Sequence, residues 1–137
     1  MDNKKYIEDV EYVAKLDLPW NKMADRSILI SGATGLIGSF LVDVIMKKNQ
    51  EGLNCAVYAL GRNEDKAKDR FRYCFNDSNF IFVQHDINKP LQTNVVGDIG
   101  YVLHLASNTH PMQYSTDPIG TITTNIFGVK YMLDFCV

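Results

Sequence analysis

Three glycines, Gly32, Gly35 and Gly38, follow a short apolar run in the segment Ser27-Ile28-Leu29-Ile30-Ser31-Gly32-Ala33-Thr34-Gly35-Leu36-Ile37-Gly38. Residues of this type and spacing can bind an anion with the main chain. Gly32 permits a tight turn, Gly35 lets a diphosphate approach the backbone without meeting a Cβ, and Gly38 lets a helix pack closely on a strand. A second candidate for anion chemistry is Gly61-Arg62-Asn63, where a guanidinium able to grip a phosphate with two charge-assisted hydrogen bonds follows another apolar run.

The elements that must position these groups are legible around them. Ile28 to Ile30 read as a buried strand, and Leu36, Ile37, Phe40, Leu41, Val44 and Ile45 recur with the period of an amphipathic helix packed on a sheet. Strand, glycine turn and helix in that order form the context in which a glycine motif binds a dinucleotide, with its phosphates over the positive helix end. The bland alternative is a glycine-rich turn that binds nothing.

Lys47 to Gly52 close the helix, and Cys55 to Leu60 form a second strand, completing a right-handed βαβ unit. The end of that strand faces the adenosine ribose in such a unit, where an Asp or Glu would accept from the 2′-hydroxyl. Here the carboxylate is missing and Arg62 stands one place later, which points to NADP over NAD, with Arg62 on the 2′-phosphate and Asn63 nearby. The competing reading keeps Arg62 as a solvated charge or stacked on adenine, and leaves NAD open as the cofactor.

Glu64 to Phe75 read as a helix with a solvated face, Phe80 to Val83 as a third strand, Asn88 to Gly97 as a loop or weak helical segment, and Tyr101 to Ala106 as a fourth strand. Asp117 and Pro118 start a last helix whose buried stripe is expected to be Ile119, Ile122, Ile126, Val129 and Leu133. Before the first strand, Ile7, Val10 and Ala14 follow a helical period that Leu18-Pro19-Trp20 breaks. Residues 1–24 therefore read as a helical leader and residues 25–137 as the dinucleotide-binding domain.

Composition narrows the function classes. A net charge of -2 provides no basic field for nucleic acid, and no apolar run approaches membrane-spanning length, so neither partner is expected and the chain reads as cytoplasmic. The three cysteines, Cys55, Cys74 and Cys136, form no C-x-x-C pair, and Cys55 and Cys136 fall in apolar contexts. His85 and His110 read as loop residues and His104 as a core histidine bonded to backbone, with no metal-ligand spacing among them.

The G-x-x-G-x-x-G spacing, together with Thr34 and the Leu36-Ile37 pair, resembles the opening of the extended short-chain dehydrogenase/reductases, the NAD-dependent epimerase/dehydratase family. The likeness covers the chain from about Ser27 onward and makes the candidate cofactor set Gly32, Thr34, Gly35, Leu36, Ile37 and Gly38. It also implies that Asp86 accepts from the adenine amino group while Ile87 contacts the ring, against an alternative in which Asp86 only caps a turn. His104-Leu105-Ala106-Ser107 resembles the family's fourth strand, which implies that Leu105, Ala106 and Ser107 lie close to the ribose and nicotinamide. Asn125 followed by Gly128 resembles the family's Asn-x-x-Gly and implies a structural link between helix and active-site strand. The run from His104 to Gly128 resembles UDP-glucuronate decarboxylases and related sugar-nucleotide enzymes.

The expected fold is therefore α/β, a Rossmann-type doubly wound parallel sheet of strand order 3-2-1-4, truncated before the fifth strand. Family members carry a Tyr-x-x-x-Lys pair that moves the proton. No tyrosine in this sequence has lysine four residues on, so no catalytic residue is assigned and the chain alone is expected to catalyse nothing. The resemblance implies transient hydride transfer on a nucleotide sugar in a larger protein, with a non-catalytic NADP-binding sensor or scaffold module, or a simple NADP-dependent reductase, as alternatives. The open fourth strand, Tyr101 to Leu105, would favour association of copies.

Overall fold

A computed structural model describes residues 3–92, 97–107 and 111–137. His110, read above as a loop residue, lies outside the described residues. Four strands, β1 (Ser27–Ser31), β2 (Ala56–Gly61), β3 (Phe80–Gln84) and β4 (Tyr101–His104), form one parallel sheet in the order β3-β2-β1-β4. The register pairs Ser31 with Leu60 on one side and with His104 on the other, so the carboxy ends of β1, β2 and β4 stand level. This is the doubly wound Rossmann arrangement expected from the sequence, and its ligand crevice lies at those carboxy ends.

Among the described residues the α-helices are α1 (Lys4–Lys15), α2 (Leu36–Gln50), α3 (Glu64–Arg70), α4 (Pro111–Thr116) and α5 (Pro118–Cys136). On one face of the sheet, Val42, Ile45 and Met46 of α2 join Ala67 and Phe71 against Ile28, Ile30, Val57 and Ala59. On the other face, Met132 of α5 joins Leu29, Leu60, Val83 and Ile87. The leader helix α1 forms a further layer, burying Val10 and Ala14 against Val44 of α2. Because α2 is covered from both sides, it is buried well beyond one stripe, while Leu36 and Ile37 at its open end remain exposed rather than packed on the sheet.

Three further expectations are corrected. The apolar stripe of α5 faces outward, with Ile119 at 77% and Leu133 at 61% exposure and Ile122, Ile126 and Val129 also exposed. The face turned to the sheet is Thr121, Thr124, Gly128 and Met132. Small residues let the helix approach closely: a β-carbon on Gly128 would already lie 3.1 Å from Ile87 Cγ1. Helix α3 stops at Arg70 instead of Phe75, because Phe71 (φ -111°, ψ 24°) leaves the helical region and inserts its ring against Phe80. Strand β4 ends at His104, short of Ala106.

All three cysteines are free; burial pushes the thiols of Cys55 and Cys74 up to about 11, whereas Cys136 is exposed despite its apolar neighbours in sequence. Among the described residues, no helix is long and apolar enough to cross a membrane and no cluster of metal-ligating side chains occurs.

Candidate functional site

The site begins where β1 ends. Gly32 has φ +69°, a backbone conformation that L side chains rarely adopt, and a β-carbon there would lie 2.7 Å from the Ala106 amide nitrogen. The turn therefore runs directly against the exit of β4. Gly38 is as tightly placed, since its β-carbon would meet the Gly32 carbonyl and lie 2.9 Å from Ala33 Cα. Gly35 is the N-cap residue of α2 and contributes no side-chain hydrogen bond to it. The first-turn amides of a helix have no partner within the helix, so those of α2 remain available to an anion beside the positive end of the helix dipole. Leu36 and Ile37 lie in that first turn with exposed side chains and offer backbone amides, not packing.

Ser31, almost fully buried, ties the two strand ends together. Its Oγ accepts from the amides of Leu105 (3.1 Å) and Ala106 (3.3 Å) and lies 2.8 Å from His104 Nδ1. With both lone pairs engaged, the hydroxyl donates to Nδ1, which makes His104 the Nε2–H tautomer. Burial holds the His104 pKa below its ordinary value, so the ring is neutral near pH 7. Its partner is thus a side-chain hydroxyl, not the backbone expected from the sequence.

One cleft at the carboxy edge of the sheet is lined by Gly32, Thr34, Gly35, Arg62, Ile87, Leu105, Ala106 and Ser107, all anticipated from the sequence. The other anticipated residues do not line it, Leu36 and Ile37 among them at the exposed start of α2. Gly38 packs under the turn. Asn63 caps α3, accepting from the Lys66 amide at 2.8 Å. Asp86 accepts from the Asn88 amide at 3.0 Å, the turn-capping role weighed above, and that turn delivers Ile87 and Asn88 to the cleft. Asn125 Oδ1 accepts from Ser107 Oγ at 2.8 Å and so joins α5 to the exit of β4.

Gly61 lines the cleft beside Arg62, and the sequence reading missed Ser31, Leu60, Lys66, His85, Asn88 and Thr124 in the same lining. Lys66 had a usable signal: it stands four residues after Arg62, across the Asn63 cap. Among the described residues neither Arg62 nor Lys66 has an ion-pair partner, so the cleft carries two uncommitted cations on its β2 side. Asn88 Oδ1 is buried there without a hydrogen-bond partner. Open helix amides, paired cations and an orphan acceptor fit a phosphorylated ligand that also brings a donor. A larger crevice of about 660 Å³ lies between α1, α2 and the end of α3, but the buried carboxylate in its wall, Asp43, already accepts from Tyr6, Arg70 and Tyr73.

The sequence model of the NAD dependent epimerase/dehydratase family matches residues 28–137. UDP-glucuronic acid decarboxylase 4 of Arabidopsis thaliana is 29% identical over 130 residues, which is 90% of this chain and 27% of the relative. This chain thus spans about a quarter of that protein's length. UDP-glucuronic acid 4-epimerase of Bacillus cereus, solved in complex with NAD, superposes with a TM-score of 0.65 at 25% identity, over 80% of this chain and 35% of the other. The yeast methylglyoxal/isovaleraldehyde reductase complexed with NADPH gives 0.57 at 26% identity, over 79% of this chain and 32% of the other. By its glycine turn, its sheet order and the match across most of its length, the chain belongs to the NAD dependent epimerase/dehydratase family.

Proposed function

We propose that this chain is the nicotinamide-dinucleotide-binding part of a nucleotide-sugar epimerase, dehydratase or decarboxylase, and that it prefers NADP to NAD. The observation that carries the reading is the shared cleft: the glycine turn that leads into the uncapped first turn of α2, through Gly32, Thr34 and Gly35, and the cations Arg62 and Lys66, which have no ion-pair partner among the described residues, line the same space. The amides suit a diphosphate. The cations suit the added phosphate of NADP, in a position where a carboxylate would suit a ribose hydroxyl. The UDP-sugar names of the relatives support the substrate class, and the named complexes with NAD and with NADPH support a dinucleotide of either kind.

When bound, the nicotinamide ring supplies a hydride acceptor and donor for the sugar. This chain's residues hold and orient. Gly32 and Gly38 shape the turn, and Ser31 fixes the exit of β4 so that Ala106 and Ser107 form the floor. His85, Ile87 and Asn88 wall the adenine side. No residue here is assigned to proton transfer. Net NADP-dependent reduction is a second reading, favoured by the likeness to the yeast reductase. The test is titration of NADP and NAD against wild type and the Arg62→Ala/Lys66→Ala variant. Loss of two phosphate contacts should weaken NADP by roughly tenfold or more while sparing NAD. Equal weakening of both would remove the NADP preference.

A further inference from the structure

Arg62, Lys66 and Arg70 stand four residues apart along α3 and its approach, and Lys66 and Arg70 share one helix face. The first two open to the cleft. Arg70, one turn further from it, enters the crevice under the leader helix, where its side chain is only 12% exposed and its partner Asp43 only 9%. Asp43 accepts from Arg70 Nη1 at 3.2 Å and from Nη2, from Tyr6 Oη at 2.5 Å and from Tyr73 Oη at 2.6 Å. Arg70 Nη2 also donates to Tyr6 Oη at 2.7 Å. Four elements meet there: the leader α1, α2, α3 and the turn after α3.

A helix of seven residues is too short to hold its own direction, so its anchors dictate where it points. Along α3 those anchors are Ala67 and its C-cap residue Phe71 against the sheet, and Arg70 against Asp43. Asp43 also neutralises Arg70, removing a like charge one turn from Lys66. Tyr6 completes the hub from α1, so whatever holds α1 in place bears on the helix whose other end presents Arg62 and Lys66.

We propose that the leader helix α1 is a specificity-determining element of the cofactor cleft: through Tyr6 and the Asp43–Arg70 pair it holds α3 so that Arg62 and Lys66 converge on the 2′-phosphate of NADP. The proposal rests on the reading of those two cations as the 2′-phosphate contacts. Tyr6, in this role, is a positioning residue with no contact to the ligand.

The test is calorimetric titration of NADP and of NAD into the full 137-residue chain. The proteins compared are wild type, Tyr6→Phe, Arg62→Ala/Lys66→Ala, and the three changes combined. Tyr6→Phe keeps the ring, which packs edge-on against Phe40 at 5.7 Å, and removes only the hydroxyl. It should weaken NADP by roughly three- to tenfold and leave NAD unchanged. In the background lacking both cations it should alter neither affinity, since its effect runs through them. Equal weakening of both cofactors by Tyr6→Phe, an unchanged NADP affinity, or a full additional loss in the cation-free background would overturn the role of the leader. If Arg62→Ala/Lys66→Ala itself leaves the NADP-to-NAD ratio at its wild-type value, it is the reading of the cations that fails, and the leader proposal falls with it.

Discussion

Gly38 rests on the carbonyl of Gly32: a β-carbon at Gly38 would overlap that oxygen and lie 2.9 Å from Ala33 Cα. The neighbours it would strike are backbone and cannot rotate away. Gly38→Ala is therefore expected to cost about 2 to 4 kcal/mol, read as a lower urea midpoint at unchanged slope. A loss under about 0.5 kcal/mol would show that the turn has room to yield.

The Asp43 hub sets a different scale. Removing its charge leaves the Arg70 guanidinium buried without a counter-ion, so Asp43→Asn should destabilise the fold by about 3 kcal/mol. Glu64→Gln breaks another ion pair, Glu64 to Lys68 at 2.8 Å, but on the surface, and should cost about 0.5 kcal/mol or less. Burial and hydrogen bonding to Asp43 also push the Tyr6 phenol up to about 12. Its folded value exceeds the unfolded one, so the stability it contributes is present through neutral pH and is lost as pH rises beyond about 10. Alkaline unfolding curves of wild type and Tyr6→Phe compare the two directly, with the variant flatter.

His104 gives the acid limb. Its folded pKa lies below the ordinary 6.5 because burial disfavours the imidazolium. The unfolded chain therefore binds the proton more readily, so stability is full above that value and falls as pH drops through it. Protonation also takes Nδ1 out of its role as acceptor for Ser31. Urea midpoints should decline as pH falls below about 6.5 in wild type and decline less in His104→Asn, whose amide oxygen can accept from the same hydroxyl. Equal slopes would place the acid sensitivity elsewhere.

Much of the fold was legible because the sheet is built from continuous apolar runs. Ile28 to Ile30, Cys55 to Leu60 and Phe80 to Val83 each mark a strand buried on both faces, and the glycines mark the turn between β1 and α2. Helix α5 was misread for a physical reason. Two stripes of the same period run along opposite faces, one of Ile119, Ile122, Ile126 and Leu133, the other of Thr121, Thr124, Gly128 and Met132. Hydropathy ranks the first higher, while close approach to Ile87 and the His104 ring selects the second. In the cleft, the glycines, Arg62 and the exit of β4 could be named from motif and spacing. Asn63 and Asp86 could not be separated from their capping roles without the hydrogen bonds. The hub of Tyr6, Asp43, Arg70 and Tyr73 left no trace in periodicity, because it joins residues from three separate segments of the chain.

The central claim is that main-chain amides left open at the start of α2 hold a diphosphate. Gly35→Val tests it most directly, because φ there is -76°, open to any residue, and the added β-carbon would lie 3.1 Å from the Gly32 carbonyl oxygen, a tight contact that a shift of a few tenths of an ångström in the turn relieves, whereas the side chain stands where the ligand must approach. Titrated calorimetrically beside wild type, the variant should lose roughly tenfold or more in affinity for both NADP and NAD while its unfolding free energy in urea stays within about 1 kcal/mol of wild type. Wild-type affinity for both cofactors in a folded Gly35→Val protein would contradict the account.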